Sequence, residues 1–198
     1  MGIRMATTAD TAELLAIYGQ YIDTSITFEY TLPDEKEFFD RIAGILAGYP
    51  YLVWQEDGKI LGYAYAHRHM ERAAYQWNAE LSVYLDRDAR GRGLGRRLYG
   101  ALMELLKLQG VLSAHALVTS PNPASQALHQ SMGFGLTAVQ RLAGYKNGAW
   151  HDVLWYEKEL APRGPEPAVP VPLSTLPPEQ VAAVLAAFSG SDGNPLKS

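Results

Sequence analysis

Residues 80–97 decide the fold, and they read Glu80-Leu81-Ser82-Val83-Tyr84-Leu85, then Asp86-Arg87-Asp88-Ala89, then Arg90-Gly91-Arg92-Gly93-Leu94-Gly95-Arg96-Arg97. The first part alternates strictly, with Leu81, Val83 and Leu85 on one face. This alternation predicts a β-strand that begins with Glu80 on its non-core face. Apolar residues at helical spacing follow the glycines and predict a helix from about Leu94 to Gln109. A glycine-rich turn between a strand and a helix favours anion binding, because successive backbone N–H groups can converge there.

The loop differs from two other glycine-rich motifs that bind phosphate groups. It is not a Walker loop, because no Gly-Lys-Ser/Thr follows. It is a poor Rossmann fingerprint, since no parallel βαβ unit surrounds it and no acidic residue lies about 20 residues further on. Arginines concentrate positive charge in the loop, at Arg90, Arg92, Arg96 and Arg97. A tight turn beside a solvated basic helix face would have the same sequence.

The composition limits the partners of the chain. Its 198 residues carry 17 basic and 21 acidic side chains, a formal net charge of −4. We expect no nucleic-acid or membrane partner, because such binders usually carry a basic excess. The lack of cysteine excludes disulfides, thiolate zinc sites and a cysteine nucleophile. No signal peptide follows Met1 and no apolar run reaches the roughly 20 residues of a membrane span, so we expect a cytoplasmic protein.

Proline divides the chain unevenly. Residues 1–160 are predicted to form one domain, and residues 161–198 a proline-rich extension. A short helix is predicted from about Pro178 to Phe188, docked on the domain or on a partner. Within the domain the patterns predict a mixed α/β sheet. Its elements are a strand at 3–5, a helix after the capping box of Thr7 and Asp10, a helix at 34–47, strands at 51–55 and 59–67, the strand and helix above, a strand at 112–119, a helix at 123–132, and strands at 134–142 and 153–158.

The loop Arg90-Gly91-Arg92-Gly93-Leu94-Gly95 resembles the Arg/Gln-x-x-Gly-x-Gly/Ala loop of the GNAT acetyltransferase superfamily. The similarity extends over roughly residues 1–160 and is greatest to the phosphinothricin N-acetyltransferase branch. It is carried by Tyr75-Gln76-Trp77, Leu128-His129, Gly133-Phe134 and the segment from Gly144-Tyr145-Lys146 to Trp150-His151-Asp152-Val153. The resemblance implies a GNAT fold of the α/β (α+β) class, with a central, mixed, mostly antiparallel twisted sheet flanked by helices.

The resemblance also implies acetyl-CoA as the acetyl donor and assigns residues to it. The backbone of Val83, Tyr84 and Leu85 would hold the pantetheine arm like an added strand. Arg90, Gly91, Arg92, Gly93, Leu94, Gly95 and Arg96 would hold the pyrophosphate. Asn122 matches an asparagine that touches the coenzyme arm, although Asn122-Pro123 is also a good helix cap.

Two residues are implied to be catalytic. An amine must be neutral to attack a thioester, so a base has to accept its proton directly or through water. Glu80 matches the family's glutamate and is the expected general base. His129 matches a histidine that would position the substrate or relay a proton, but a helix histidine satisfied by hydrogen bonds is an alternative. Without cysteine, direct attack of the amine in one ternary complex is the simpler route.

The acceptor is implied to be a small amino-acid analogue, with phosphinothricin favoured. Arg72 matches a basic substrate residue, and Tyr75, Phe28, Ser25 and Glu29 are expected to line the same pocket, although Phe28 would also suit the core. Met70 stands where the family enzyme that inactivates phosphinothricin has a lysine. A thioether favours a less charged acceptor, so methionine sulfoximine or methionine sulfone stays open as an alternative.

Three further expectations concern metals, assembly and turnover. His67 and His69 alternate like a metal pair, but no third ligand is evident, so no metal is expected. The resemblance implies a homodimer, with Trp77 and the segment around Trp150 near the shared surface. A coenzyme A sensor without turnover remains the competing class, followed by an unrelated phosphate-binding module.

Overall fold

The computed structural model describes residues 1–190, and the last eight residues of the predicted extension lie outside the described part. In that range the α-helices are α1 (Thr11–Gly19), α2 (Glu35–Leu46), α3 (Leu94–Gln109), α4 (Pro123–Ser131) and α5 (Pro178–Ser189). The strands are β1 (Gly2–Met5), β2 (Tyr51–Glu56), β3 (Lys59–Arg68), β4 (Asn78–Leu85), β5 (Ser113–Ser120), β6 (Gly135–Lys146) and β7 (Ala149–Glu159). None of the helices in residues 1–190 is long and apolar enough to cross a membrane.

The strands of residues 1–190 form one sheet in the order β1-β2-β3-β4-β5-β7-β6. Neighbouring strands are antiparallel except β4 and β5, which are parallel. The mixed, mostly antiparallel sheet that the sequence implied is therefore confirmed. A parallel pair needs a crossover connection, and α3 supplies it between β4 and β5.

Helices cover both faces of the β2–β4 part of the sheet. One core includes Leu81, Leu98 and Leu102 and lies under α3. The second core lies under α1 and α2 and includes Leu14 and Ile42. The sequence predicted a non-core face for the side of β4 that carries Tyr84, and this is wrong at that residue.

Tyr84 packs against three aromatic rings of the second core. The ring centroids of Tyr18 and Tyr21 lie 5.2 Å from that of Tyr84, and the centroid of Tyr63 lies at 5.4 Å. An alternating strand has the same sequence pattern whether its second face meets solvent or another layer of the protein, because tyrosine is found in both environments. The N-terminal half of the chain supplies that second layer.

The β6–β7 hairpin is longer than the sequence patterns predicted. Its strands meet at Asn147 and Gly148, whose φ angles are 52° and 78°. Two residues with positive φ form the type of tight turn that joins antiparallel strands, and Asn-Gly favours it strongly. The predicted strands end at Leu142 and resume at Val153, so this turn signal was missed.

The predicted C-terminal helix is present as α5 and packs on the predicted domain of residues 1–160. Phe188 is 4% exposed and belongs to the core under α3. Ser189 Oγ accepts a hydrogen bond of 2.8 Å from the backbone N–H of Ile3 in β1. The segment before α5 also contacts this domain, since Trp77 Nε1 donates a hydrogen bond to Ala168 O at 2.7 Å. The division of the chain at residue 160 stays a prediction, but residues beyond it contribute to the core.

Candidate active site

A cleft opens where the parallel strands β4 and β5 separate. They pair only from Asn78 with Ser113 to Glu80 with His115. Beyond Glu80 the strands diverge, and a cavity of about 350 Å³ lies between them. Its walls are residues 81–85 of β4, residues 116–119 of β5, and the beginnings of α3 and α4. Glu80 therefore lies at the last paired position, where the cleft begins.

The backbone of β4 faces this cleft with hydrogen-bonding groups. Tyr99 Oη donates to Leu81 O at 3.1 Å, and Tyr21 Oη lies 2.5 Å from Leu85 O and 3.1 Å from Leu85 N. Successive residues of a strand direct their N–H and C=O groups to opposite edges. Val83 lies two residues from each of them and so directs its backbone groups to the same edge. This edge is consistent with the predicted pantetheine contacts of Val83 and Leu85, whereas the same alternation directs the backbone groups of Tyr84 to the opposite edge, toward β3.

The glycine loop adopts a backbone that anion binding needs. Gly91 and Gly93 have φ angles of 75° and 77°, a region that side chains with a Cβ rarely adopt. A Cβ built at either residue would meet nothing within 4 Å, so the space above both is open. Gly93 is the N-cap of α3, and the helix begins at Leu94 as predicted. The unpaired N–H groups of the first helical turn are suited to a phosphate group.

The arginines of the loop have different surroundings. Arg90 and Arg96 line the cleft. The guanidinium of Arg90 lies 5.0 Å from the ring centroid of Tyr21, and that of Arg96 donates to Ser131 Oγ at 3.0 Å. Arg92 does not line the cleft, because its Nη2 binds both carboxylate oxygens of Glu56 at 2.8 Å. The predicted grouping of these arginines around one anion is thus not reproduced for Arg92.

Asn122 and His129 lie on the α4 wall of the cleft. Asn122 caps α4, since its Oδ1 accepts from the backbone N–H of Ser125 at 3.2 Å. His129 is 2% exposed, with Nδ1 2.7 Å from Ser125 O. Because a carbonyl oxygen only accepts, Nδ1 carries the hydrogen, and Nε2 is buried without a partner. Burial lowers the pKa of His129, so its ring is neutral near pH 7.

Two histidines flank the carboxylate of Glu80, whose side chain is 20% exposed. His69 Nδ1 lies 3.3 Å from Glu80 Oε2, and His67 Nε2 lies 3.9 Å from Glu80 Oε1. His69 is nearly buried and His67 is exposed. Their i, i+2 spacing, at the end of β3 and just after it, was visible in the sequence, and both histidines lie near the Glu80 carboxylate. In residues 1–190 there is no group of three or more His, Asp or Glu side chains arranged to hold a metal ion.

The predicted acceptor residues lie on two segments. Arg72 immediately precedes a 3-10 turn over Ala73–Tyr75, and both Arg72 and Tyr75 are exposed. Phe28 lies on the segment after α1 and covers Gly144, where a Cβ would come within 2.5 Å of the Phe28 ring. The three residues therefore come from two segments of the chain, and that they share one pocket stays a prediction. Ser25 is half-buried on the same segment as Phe28.

Glu29 is directed to a different cavity. Its Oε1 accepts from Arg41 Nη1 at 2.5 Å. Both residues line a second cavity of about 460 Å³ between α2 and the sheet. The expectation that Glu29 shares a pocket with Phe28 is not supported by this ion pair.

Lys146 fixes the segment that carries Phe28. It is 3% exposed, and its Nζ donates to the carbonyl oxygens of Ile22, Thr27 and Glu29 at 2.6–2.8 Å. Burial lowers the pKa of this amine. This role of Lys146 was not predicted, because nothing in the sequence around a strand lysine indicates that its amine is buried and bonded to another segment. Tyr21, Tyr99 and His115 were missed for a similar reason, since only the topology brings them to the cleft or to Glu80.

The split parallel strands, the glycine loop at the start of α3 and the mixed sheet define the GNAT class of acetyltransferases. Residues 3–155 match the family described as "Acetyltransferase (GNAT) domain". The chain belongs to this family and is an N-acetyltransferase.

Comparison with individual proteins places the chain near one branch of the family. It is 36% identical over 171 residues to the phosphinothricin N-acetyltransferase of Streptomyces viridochromogenes, covering 85% of this chain and 93% of that protein. It is 33% identical over 162 residues to the L-methionine sulfoximine/L-methionine sulfone acetyltransferase of Salmonella typhimurium, covering 81% and 95%. The crystal structure of a phosphinothricin acetyltransferase from Sinorhizobium meliloti in complex with acetyl-CoA superposes with a TM-score of 0.82 at 34% identity, covering 88% and 96%. The resemblance to the phosphinothricin N-acetyltransferase branch is confirmed.

Proposed function

We propose that this chain transfers the acetyl group of acetyl-CoA to the α-amine of a small amino-acid-like acceptor, with phosphinothricin as the favoured substrate and Glu80 as the general base. The observation that carries the proposal is the position of Glu80 at the last paired residue of β4, where the cleft begins. A base at that point directly precedes the part of β4 that would hold the reactive end of the donor.

The cleft suits coenzyme A in both shape and chemistry. Val83 offers backbone groups to the pantetheine amides, in the way a neighbouring strand would. The first turn of α3 and the open space above Gly91 and Gly93 suit the pyrophosphate. Arg90 and Arg96 add positive charge at the same wall. The similar structure from Sinorhizobium meliloti contains acetyl-CoA, which supports the choice of donor.

The reaction needs one proton transfer before the amine attacks. An ammonium ion has no lone pair, so Glu80 first takes a proton from its nitrogen. The neutral amine then attacks the thioester carbon, the carbon–sulfur bond breaks, and the second proton that the nitrogen loses passes to the leaving sulfur, so that the products are an amide and the thiol of coenzyme A. His129 is the second residue proposed to be catalytic. It lies on the wall of the cleft, and its unpaired Nε2 can accept a hydrogen bond from a group that binds there.

The acceptor is proposed to meet Arg72, Tyr75 and Phe28. Arg72 has no side-chain hydrogen bond or ion pair within residues 1–190, so its guanidinium is free to bind an anionic acceptor group. Met70, which is 38% exposed two residues earlier, offers no second cation. This observation favours methionine sulfoximine or methionine sulfone as the second candidate, and a relative from Salmonella typhimurium is named for those substrates.

Thiol release from acetyl-CoA tests the function and ranks the acceptors. The kcat/KM values are compared for phosphinothricin, methionine sulfoximine, methionine sulfone, ordinary amino acids and polyamines. We expect the amino-acid analogues to be best, and Arg72→Ala to lower their kcat/KM about tenfold or more, as loss of a charged hydrogen bond does. Arg68→Ala is the matched control, because the guanidinium of Arg68 is already bonded to Glu71 O.

Two outcomes would reject this assignment. Preference for polyamines would overturn the acceptor class. Tight binding of the coenzyme without turnover of any amine would instead identify a sensor.

A homodimer is part of the proposal, and the edge strand β6 supports it. Large apolar side chains are exposed along β6 and its hairpin, and they are Leu136, Val139, Leu142, Tyr145 and Trp150. A long apolar edge strand is a common place for a second chain to pair. Trp77 is half-buried and donates a hydrogen bond to Ala168 O, and its position near the shared surface stays a prediction. Cytoplasmic location stays a prediction.

A further inference from the structure

The two oxygens of the Glu80 carboxylate have different surroundings. His69 Nδ1 lies 3.3 Å from Oε2, and within residues 1–190 this is the one hydrogen bond made to the carboxylate. His67 Nε2 lies 3.9 Å from Oε1, which is too far for a hydrogen bond. An ionised carboxylate only accepts, so His69 Nδ1 carries a hydrogen and donates it to Oε2. Oε1 is therefore left without a hydrogen bond from the described part of the chain.

The ring of His69 is held by two other rings. It is parallel to the ring of His115 on β5, with centroids 4.2 Å apart and an interplanar angle of 4°. The ring of Trp155 on β7 lies at 79° to it, with the centroids 5.6 Å apart. The His69 side chain is only 8% exposed. Packing on β5 and β7 therefore fixes the direction in which His69 Nδ1 donates.

Hydrogen bonds fix the second ring of the stack. Asn78 Nδ2 donates to Tyr75 O at 3.1 Å, which directs Asn78 Oδ1 toward His115 Nε2, also at 3.1 Å. An amide oxygen only accepts, so His115 Nε2 carries a hydrogen and donates it away from Glu80. Burial is the main cause that lowers the pKa of His115 to about 4, so this ring is neutral near pH 7. His115 therefore supports His69 without competing for the carboxylate.

A base on a flexible side chain has to be held in place to react. Ordering a glutamate side chain costs up to about 2 kcal/mol of conformational entropy. Glu80 lies at the last position where β4 and β5 pair, and its side chain is 20% exposed. A hydrogen bond to a charged group contributes about 1.5–3 kcal/mol. The single bond from His69 is thus strong enough to keep the carboxylate in one orientation.

We propose that His69 is a positioning residue, which holds Oε2 of Glu80 and so leaves Oε1 as the oxygen that takes the proton of the acceptor amine. This inference rests on the proposed function of Glu80. In the transfer an N–H bond of the ammonium breaks and an O–H bond forms at Oε1. Oε2 is then the carbonyl oxygen of the acid and still accepts a hydrogen bond. The contact with His69 therefore lasts through the step, and His69 itself neither gains nor loses a proton.

Two substitutions of His69 separate the hydrogen bond from the packing. Phenylalanine keeps a ring against His115 and Trp155 but has no donor. Asparagine has no ring, but its amide carries an N–H at the same number of bonds from the backbone as Nδ1. We expect His69→Phe to lower kcat about tenfold, as loss of a hydrogen bond to a charged group does, with the KM for acetyl-CoA unchanged. His69→Asn should keep most of the wild-type kcat and unfold at a lower temperature.

A double-mutant cycle with Glu80→Gln shows whether His69 acts through the carboxylate. In the Glu80→Gln background, His69→Phe should lower kcat no further, because two residues that act as one unit are not additive. The same fold loss of kcat in both backgrounds would overturn the inference. A wild-type kcat in His69→Phe would overturn it too, and so would a loss in His69→Asn as large as that in His69→Phe, which indicates packing. A wild-type kcat in Glu80→Gln alone would instead refute the proposed base, and the cycle measures that separately.

Discussion

Gly93 and Gly58 have nearly the same backbone conformation in different places. Their φ angles are 77° and 82°, and a Cβ at either would meet nothing within 4 Å. Only Gly93 lies at the start of α3 in the cleft, whereas Gly58 lies in the turn between β2 and β3. A pair of substitutions at these residues therefore separates backbone strain from ligand binding.

We expect Gly93→Ala to weaken acetyl-CoA binding about tenfold or more, because the methyl group points into the space proposed for the pyrophosphate. Both Gly93→Ala and Gly58→Ala should lose about 1–2 kcal/mol of unfolding free energy, the usual effect of a side chain in this region. Titration calorimetry with acetyl-CoA and thermal unfolding give the two quantities. Equal affinity for acetyl-CoA in both variants would show that the loop does not hold the coenzyme.

Single residues differ in how well the sequence predicts their surroundings. The place of Glu80 followed from local patterns, since strand alternation and the loop ten residues on are both short-range. The contact of His69 with His115 did not, because it depends on the parallel pairing of β4 with β5 across a whole helix. Arg92 shows the same limit, since its partner Glu56 comes from the β2–β3 hairpin.

At the scale of elements, strands and helices with strong periodicity were predicted well. The pattern of α3 predicted its bounds, and the pattern after Pro177 predicted α5. The β6–β7 hairpin was predicted too short, because its strands have little apolar alternation around the Asn147-Gly148 turn. The packing site of α5 could not be predicted, because the space that its Phe188 ring fills is left by Gly100 on α3.

The packing of α5 gives a prediction about stability. A Cβ on Gly100 would come within 2.3 Å of the Phe188 ring, so the two helices are in direct contact there. We expect Phe188→Ala to lower the unfolding free energy by about 3–5 kcal/mol, as removal of a buried phenylalanine does. Phe39→Ala in α2 is the control, since Phe39 is 42% exposed and should lose far less. Urea denaturation measures both, and equal losses would mean that α5 is not part of the folded core.

At the scale of the whole molecule, the sheet of residues 1–190 is covered by helices on both faces of its β2–β4 part, and β6 is its edge strand. This edge leads us to predict a dimer in solution, with light scattering giving twice the chain mass of 21.8 kDa. Leu136 on β6 is 52% exposed, and Leu136→Glu should shift the protein to monomer because a charge would be buried in the interface. Leu108→Glu on α3, where the leucine is 39% exposed, should leave the dimer intact. A wild-type protein that scatters as a monomer would contradict the prediction.

The proposed acetyl transfer depends on a base at the point where β4 and β5 separate. Its most direct test is the kcat for release of coenzyme A thiol with the best amino-acid acceptor, measured for wild type and Glu80→Gln. Glutamine keeps the size of the side chain and removes its charge. We predict a fall in kcat of about 10²–10⁴-fold with the KM for acetyl-CoA unchanged, while Glu159→Gln, at an exposed carboxylate on β7, keeps the wild-type value. A Glu80→Gln enzyme with the kcat and pH profile of wild type would show that Glu80 is not the general base.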